Sequence, residues 1–358
     1  MKVAFTGGGT AGHAVVNTTL TPFIQQEKIE TIYIGSKNGI ERNMIHSMKN
    51  VNYFAIQSGK LRRYFSLKNV TDIFRILIAF FQAYKILGKE KVSLVYSSGG
   101  YVAVPVVWAA YLQGIPVILR ETDYSIGLAN RLCIPCSKDL FVTFFETDGT
   151  DYEITLHNKG MIIRPELLRE DKVVSPIASE EKPVCLIIGG SSGAEKLNFA
   201  IWKNLSELTE KYSIIHITGK GKMNKRIENT YNYQQVEFIN QMGPCYAKAD
   251  IVITRSGSNA IAECLLLGKR MICVPLSSTQ SRGEQTLNAE FAQKYGNAVI
   301  VDNNELTKET LLLALSEIKN QPLNDLYKIE EEELIERINE HVRFIKHKML
   351  KISCNINI

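Results

Sequence analysis

The chain has 358 residues, 45% of them apolar and 22% charged, which suits one large or two ordinary domains at ~100–200 residues each. That composition excludes a disordered chain, a collagen-like repeat and a small disulfide scaffold. The net charge of +5 is unevenly placed: residues 1–160 hold 17 basic and 12 acidic side chains, whereas residues 161–358 hold 25 of each, so the first half is the one suited to an anionic partner.

The chain opens on the apolar run Lys2–Thr6, which reads as a strand entering Gly7-Gly8-Gly9-Thr10-Ala11-Gly12 and not as a charged leader with an apolar core and cleavage site. An amphipathic stretch, Ala14–Glu27, and a buried strand, Thr31–Ile34, follow. The next helical pattern is Leu67–Leu87, and Leu94–Tyr96 and Val117–Leu119 are again short buried strands. Strands alternating with helices predict a parallel sheet covered by helices. The polar stretch DGTDYEITLHNKG interrupts, and the pattern restarts with Val184–Ile188, Ser213–Thr218, Asp250–Thr254 and Met271–Val274. A domain boundary is expected near residues 155–165. Asn324 to about Leu350 is a long helical pattern, acidic at Glu330–Glu333 and basic at Arg343, Lys346, Lys348 and Lys351. Its basic end suits either return to the first domain or a solvated helix whose charges follow its dipole.

The two halves echo each other. KVAFT runs into GGTAGH at Gly8–His13, and VCLII runs into GGSSGA at Gly189–Ala194, 181 residues later; LVYSSGGYVAVP is matched in place by IVITRSGSNAIAE. The expected fold class is α/β, with two doubly wound Rossmann-like domains facing a cleft: 1–160 joined by the C-terminal helix 340–358, and 161–339. In such sheets ligands sit at the carboxyl ends of the strands.

Gly7–Gly12 satisfies GxGxxG, but a dinucleotide site asks for an acidic residue closing the second strand, and that strand ends Tyr33-Ile34-Gly35-Ser36-Lys37. Glycines that let backbone N–H groups approach an anion or sugar are what survives of that reading. His13, at the expected start of a helix, is either a structural histidine or a base working near neutral pH. In the second half, GGSSGAEKLN and RSGSNAIAE place small residues and hydroxyls at helix starts where a diphosphate can rest. Glu263, one to two turns into the second of these helices, is either an exposed helix glutamate or an acceptor for two ribose hydroxyls. Glu284 and Gln285 stand out in SRGEQTLNAE as groups able to bind hydroxyls. No Asp-x-Asp pair occurs, so no metal is expected on the diphosphate; N–H groups, helix dipoles and Arg164 would replace it.

Residues 60–91 carry eight basic and two acidic side chains, with Arg62, Arg63, Arg75 and Lys85 interleaved among Phe74, Phe80, Phe81 and other apolar residues. This is either a buried helix with basic ends or a helix resting on anionic lipid at ~1 kcal/mol per nearby basic residue. The longest uncharged run of this segment, Ile76–Tyr84, is far short of the ~20 residues of a membrane span. Aromatics in one continuous apolar run argue against nucleic acid. Seven cysteines without framework spacing suit a reducing compartment, and Cys133 and Cys136, the only CxxC, read as ordinary thiols.

GGGTAGH, SSGGYVAVP, RETDYSIGLANR, GGSSGAEKLN, RSGSNAIAE and QSRGEQTLNA, in this order along nearly the whole chain, resemble the MurG family. Its members add N-acetylglucosamine (GlcNAc) to the undecaprenyl-linked muramyl-pentapeptide of peptidoglycan synthesis. YIGSKNGIER and SGKLRRY look like the form found in Gram-positive cocci. The resemblance implies a glycosyltransferase B fold, UDP-GlcNAc as donor in the second domain, the lipid acceptor (lipid I) in the first, no required cofactor, and a peripheral place on the cytoplasmic face of the cell membrane. A UDP-GlcNAc 2-epimerase-like soluble enzyme and a non-catalytic nucleotide-sugar-binding membrane scaffold are the alternatives. Carried over by position, the backbone of Ile239 meets the uracil and Glu263 the ribose. Ser191 and Arg164 meet the diphosphate or sugar, Ser258 and Asn259 open the helix beneath the phosphates, and Gln285, beside Glu284, binds the GlcNAc hydroxyls. His13, with Thr10, Ala11 and Gly12, belongs to the acceptor side, as do Gly100, Tyr101, Glu121 and Asp123. The chain departs from the familiar pattern at Arg120-Glu121-Thr122-Asp123 in place of HEQN, at Glu284 in place of a glutamine, and at Ala11 in place of a glycine.

Overall fold

The computed structural model describes residues 1–59, 67–147, 153–169, 181–190, 193–276 and 283–355. The chain forms two compact units, Met1–Arg164 with Ile335–Ile358, and Pro165–Leu334.

In the first unit the chain runs β1 (Lys2–Thr6), α1 (Ala11–Gln26), β2 (Glu30–Ser36), α2 (Ile40–His46), β3 (Val51–Ile56), α3 (Leu67–Lys89), β4 (Leu94–Ser97), α4 (Ala103–Leu112), β5 (Val117–Glu121), α5 (Leu128–Cys133), β6 (Asp139–Val142) and β7 (Thr155–His157). The strands form one parallel sheet of order β3-β2-β1-β4-β5-β6-β7. The order reverses between β1 and β4, so the loops leaving these two strands meet at the switch point, where an open α/β sheet binds ligand. Val3, Ala4, Phe5, Leu94, Val95 and Tyr96 are buried, because central strands are covered on both faces.

The second unit continues with β8 (Val184–Ile188), α6 (Glu195–Lys203), α7 (Leu205–Lys211), β9 (Ser213–Ile217), β10 (Tyr233–Val236), α8 (Gly243–Lys248), β11 (Ile251–Thr254), α9 (Ser258–Leu266), β12 (Arg270–Cys273), α10 (Glu284–Tyr295), β13 (Ala298–Ile300) and α11 (Lys308–Asn320). Its parallel sheet has the order β10-β9-β8-β11-β12-β13, with the switch between β8 and β11. Both sheets thus have the doubly wound form that the alternating pattern predicts.

α12 (Glu331–Asn355) starts later than the helical pattern of the sequence, and from Ile335 onward it belongs to the first unit. Phe344 packs edge-on against Phe141 with ring centroids 5.1 Å apart, Lys348 pairs with Asp139 at 2.7 Å and Lys346 with Glu27 at 2.6 Å. His341 is wholly buried, and its Nε2 lies 3.1 Å from Nη1 of the equally buried Arg120. Arginine is a donor only, so Nε2 accepts and Nδ1 carries the proton, donated to the Arg337 carbonyl at 3.2 Å. Burial, reinforced by the Arg120 charge, holds the His341 imidazole well below its usual pKa.

One expectation shifts in detail, and one stands. The polar stretch expected to part the domains contains β7, a three-residue edge strand with its side chains largely toward solvent. Cys133 and Cys136 are free, buried thiols; burial raises both, that of Cys136 to about 11, which fits packing residues and not reactive ones.

Candidate active site

In the first unit the two glycine segments of the sequence fold against one another. Gly9 has φ +95 and a Cβ there would lie 2.6 Å from the Tyr101 ring; Gly100 has φ +81 and its Cβ would lie 2.0 Å from the Gly8 carbonyl oxygen. Only glycine permits both the left-handed backbone and the approach. The first loop is fixed from beneath: the Tyr33 hydroxyl donates to the Gly7 carbonyl at 2.7 Å, Asn17 donates to the Thr6 carbonyl at 3.1 Å, and the Ser98 hydroxyl donates to the His13 carbonyl. Thr10 is the exposed N-cap residue of α1, and Ala11, Gly12 and His13 form its half-buried first turn. His13 Nδ1 is buried and without a hydrogen-bond partner among the described residues.

The loop after β5 joins this patch. Glu121 is almost wholly buried, and its Oε1 accepts from the N–H groups of Thr122 and Asp123, both at 3.0 Å. Its Oε2 accepts from the Gly127 N–H at 2.8 Å and from Asn130 Nδ2 at 2.9 Å. Burial and the Asp123 carboxylate raise the Glu121 carboxyl, while these donors draw it back. With its oxygens engaged by its own segment, Glu121 shapes the loop that presents Asp123. Asn130 also donates to the Arg120 carbonyl at 2.9 Å and lies against Gly99, where a Cβ would stand 3.2 Å from Nδ2. GGGTAGH, SSGGY and RETDYSIGLANR therefore share one surface at the carboxyl ends of β1, β4 and β5.

Sequence reasoning passed over Glu41. Its buried carboxylate accepts from the backbone and hydroxyl of Ser36, the last residue of β2, at 3.0 and 2.5 Å, so an acidic group does stand at the end of the second strand. It comes from α2, five residues beyond the position that a strand-end motif inspects.

In the second unit, β11 leads through Arg255 and Ser256 to Gly257, the N-cap residue of α9. Ser256 is a buried non-glycine residue with φ +59, a conformation that persists only where its surroundings enforce it. Here Asn288 of α10 donates to the Ser256 carbonyl at 3.2 Å, and Arg255 Nη1 donates to Asn303 Oδ1 at 2.6 Å and to the Val274 carbonyl at 3.2 Å. Burial lowers the Arg255 pKa. Ser258 and Asn259 open α9, and Glu263, 9% exposed, has its Oε2 held by the Tyr246 hydroxyl of α8 at 2.7 Å. Tyr246 was not among the residues read from the sequence, because only the fold brings α8 against α9.

Glu284 is the first residue of α10, after the left-handed Gly283. Gln285 Oε1 accepts from the Leu276 N–H at 2.9 Å. Ile239 is half-buried after β10, beside the exposed Phe238. On the α6 side of the second sheet, Trp202 Nε1 donates to the Tyr233 hydroxyl at 2.8 Å, that hydroxyl lies 3.0 Å from His216 Nδ1, His216 Nε2 lies 3.0 Å from Asn198 Oδ1, and Asn198 Nδ2 donates to the Thr218 carbonyl at 2.8 Å. A Cβ on Gly193 would lie 2.4 Å from that same carbonyl. Burial lowers His216 to about 3. Arg164 is half-buried and closes the first unit's main segment. Ser191, Arg62 and Arg63 lie outside the described residues. Among the described residues no group of three or more His, Cys, Asp or Glu side chains is arranged to hold a metal ion.

α3 turns an apolar face to solvent: Phe74 and Phe81 are 63% and 68% exposed, with Ile73, Leu77, Ile78 and Tyr84 alongside, while Ala79, Ala83 and Leu87 face the core and Phe80 is half-buried. Arg75 and Lys85 are exposed on the same helix. The buried-helix reading fails for this face. Trp108, Tyr111 and Leu112 of the neighbouring α4 are also exposed, and Gln113 ties the end of α4 to the Tyr84 carbonyl at 2.9 Å. No helix is long and apolar enough to cross a membrane among the described residues.

Residues 3–141 match the glycosyltransferase family 28 N-terminal domain, and residues 184–346 match the corresponding C-terminal domain. An Oceanobacillus iheyensis protein is 42% identical over 346 residues, covering 95% of this chain and 97% of its own, and a Clostridium tetani protein is 44% identical over 319 residues, covering 87% and 88%. Both are named UDP-N-acetylglucosamine–N-acetylmuramyl-(pentapeptide) pyrophosphoryl-undecaprenol N-acetylglucosamine transferase. The crystal structure of Acinetobacter baumannii MurG, 24% identical, aligns over 98% of this chain and 99% of its own with a TM-score of 0.72, a likeness of fold. With paired glycine loops at one switch point and the Glu263 helix at the other, the chain belongs to the MurG family of glycosyltransferase family 28.

Proposed function

We propose that this protein is an inverting glycosyltransferase that moves GlcNAc from UDP-GlcNAc to the 4-hydroxyl of undecaprenyl-diphospho-N-acetylmuramoyl-pentapeptide, working as a peripheral enzyme on the cytoplasmic face of the cell membrane. The observation that carries the reading is the split of chemistry between units: interlocked glycine loops beside His13 in one, and in the other a helix start with Glu263 braced by Tyr246. The second unit takes the donor, with Ile239 at the uracil, Glu263 at the ribose, Ser191, Ser258 and Asn259 around the diphosphate, and Glu284 and Gln285 at the GlcNAc hydroxyls; Arg164, the residue just before this unit, joins the diphosphate. The first unit takes the acceptor, with Thr10, Ala11, Gly12, Gly100, Tyr101 and Asp123 around the muramyl sugar.

His13 takes the proton of the muramyl 4-hydroxyl. That oxygen bonds to the anomeric carbon on the face opposite UDP as the carbon–oxygen bond to the diphosphate breaks, and UDP leaves with the electron pair. The diphosphate gains charge in this step, and the α9 N-terminus and Arg164 stabilise it. The exposed face of α3, with Arg75 and Lys85 among its aromatics, supports contact with anionic lipid.

A 2-epimerase of related fold is not favoured, since relatives 42–44% identical carry the transferase name, and a soluble enzyme has no use for the apolar face of α3. Labelled UDP-GlcNAc mixed with acceptor lipid in EDTA tests the proposal: label moves to the lipid with wild type and falls by about 10²–10⁴-fold with His13→Ala, the scale of a lost general base. Folded wild-type protein that moves no label refutes the function, binding without turnover supports the scaffold instead, and an unimpaired His13→Ala removes His13 as the base.

A further inference from the structure

In a nucleotide-binding α/β domain the end of the second strand carries the carboxylate that holds a ribose, beside a glycine loop whose N–H groups face the phosphates. In the first unit of this protein Glu41 fills that place from α2 and turns inward. Its Oε1 takes the N–H and hydroxyl of Ser36 at 3.0 and 2.5 Å, and its Oε2 faces the Gly9 N–H at 3.5 Å. The side chain is wholly buried. Gly8 and Gly39 leave it room: a Cβ at either would come within 2.6 and 2.1 Å of its oxygens. The group thus lies under the loop whose other side meets Tyr101.

We propose that Glu41 is a positioning residue for the acceptor, fixing the Gly9 N–H so that the loop Gly7–Thr10 holds the shape against which the acceptor sugar is aligned. It touches no reacting atom. This rests on the reading of that loop as the acceptor side. Glu41→Gln keeps size, and its carbonyl oxygen still serves Ser36, but it sets an amide NH₂ donor against the Gly9 N–H donor.

The test uses the full chain in two measurements. In steady-state transfer, Glu41→Gln raises the acceptor KM about tenfold, the scale of one buried hydrogen bond inverted, while the KM for UDP-GlcNAc stays within about twofold. In amide hydrogen exchange without substrates, the Gly9 amide exchanges at least about tenfold faster in the variant than in wild type. Ser36→Ala, which removes only the hydroxyl that orients the carboxylate, shifts both readouts the same way by about threefold and serves if Glu41→Gln does not fold. Equal rises in both KM values, or an unchanged Gly9 exchange rate, overturn the proposal. Exchange is read in the absence of substrates, so loss of the acceptor assignment and loss of the Glu41 assignment give different results.

Discussion

The contact between Gly100 and the Gly8 carbonyl gives the most exacting prediction about the acceptor side. A methyl group at Gly100 would sit 2.0 Å from that oxygen, against ordinary contact from 3.4 Å, so the two loops must part by roughly 1.4 Å. Left-handed backbone at a residue with a Cβ adds about 1–2 kcal/mol, and the forced separation a further 1–3 kcal/mol. Gly100→Ala is therefore expected to lose about 2–5 kcal/mol of stability. It should also lose about 10²-fold in kcat/KM for the acceptor, since misplacement by ~1 Å near the reacting groups has that effect. UDP-GlcNAc binding, measured by calorimetry on the same preparation, should be unchanged because the proposed donor site lies in the other unit. Gly114→Ala is the control: Gly114 has φ +66, but a Cβ there meets nothing within 4 Å, so it carries the backbone strain without the clash and keeps wild-type turnover. Acceptor kcat/KM within threefold of wild type for a folded Gly100→Ala would refute the reasoning.

Three further outcomes follow from the same geometry. Glu263→Gln should weaken UDP-GlcNAc binding about 10–30-fold, through loss of charge-assisted bonds to ribose, and Tyr246→Phe less, about threefold, with acceptor KM unmoved in both; calorimetric titration reads this. Phe74→Ser with Phe81→Ser should cut co-sedimentation with anionic vesicles by at least about tenfold, since each phenyl group can bury about 1.5–3 kcal/mol of apolar surface in lipid; unchanged binding would place the membrane face elsewhere. His216 and His341 are both held neutral by burial, His216 at about 3 and His341 well below 6.5. Their unfolded forms take up a proton near pH 6.5 while the folded forms do not, so stability falls as pH drops. Between pH 7.5 and 5.5 each contributes a loss of about 1.4 kcal/mol, and in guanidinium unfolding His341→Gln should abolish one such share of the pH dependence.

The central strands were legible because burial on both faces leaves an unbroken apolar run: Lys2–Thr6 and Val184–Ile188 coincide with β1 and β8. β3, β7, β10 and β13 lie at sheet edges, and β6 is next to one. Edge strands such as TLH and YQQV carry polar residues that match no buried pattern. The glycine motifs marked the loops, but not that Gly100 lies against Gly8, a contact between segments some ninety residues apart. Glu41, Tyr246 and Asn288 act from neighbouring helices, so no local motif contains both them and the groups they hold. For Glu121 the sequence identified the residue, and the four donors around it identify its task as shaping its own loop. Composition left α3 open between core and surface, and the exposure of Phe74 and Phe81 decides for the surface.

The central claim concerns which bond is made. The direct measurement is to incubate the purified protein with UDP-GlcNAc and the muramyl-pentapeptide-diphosphate lipid in EDTA, isolate the product, and read its linkage and anomeric configuration by NMR. The account predicts one GlcNAc in β configuration on the muramyl 4-hydroxyl, with one UDP released per linkage. An α-linked product, transfer to another hydroxyl, or UDP release without a glycosylated lipid would contradict it.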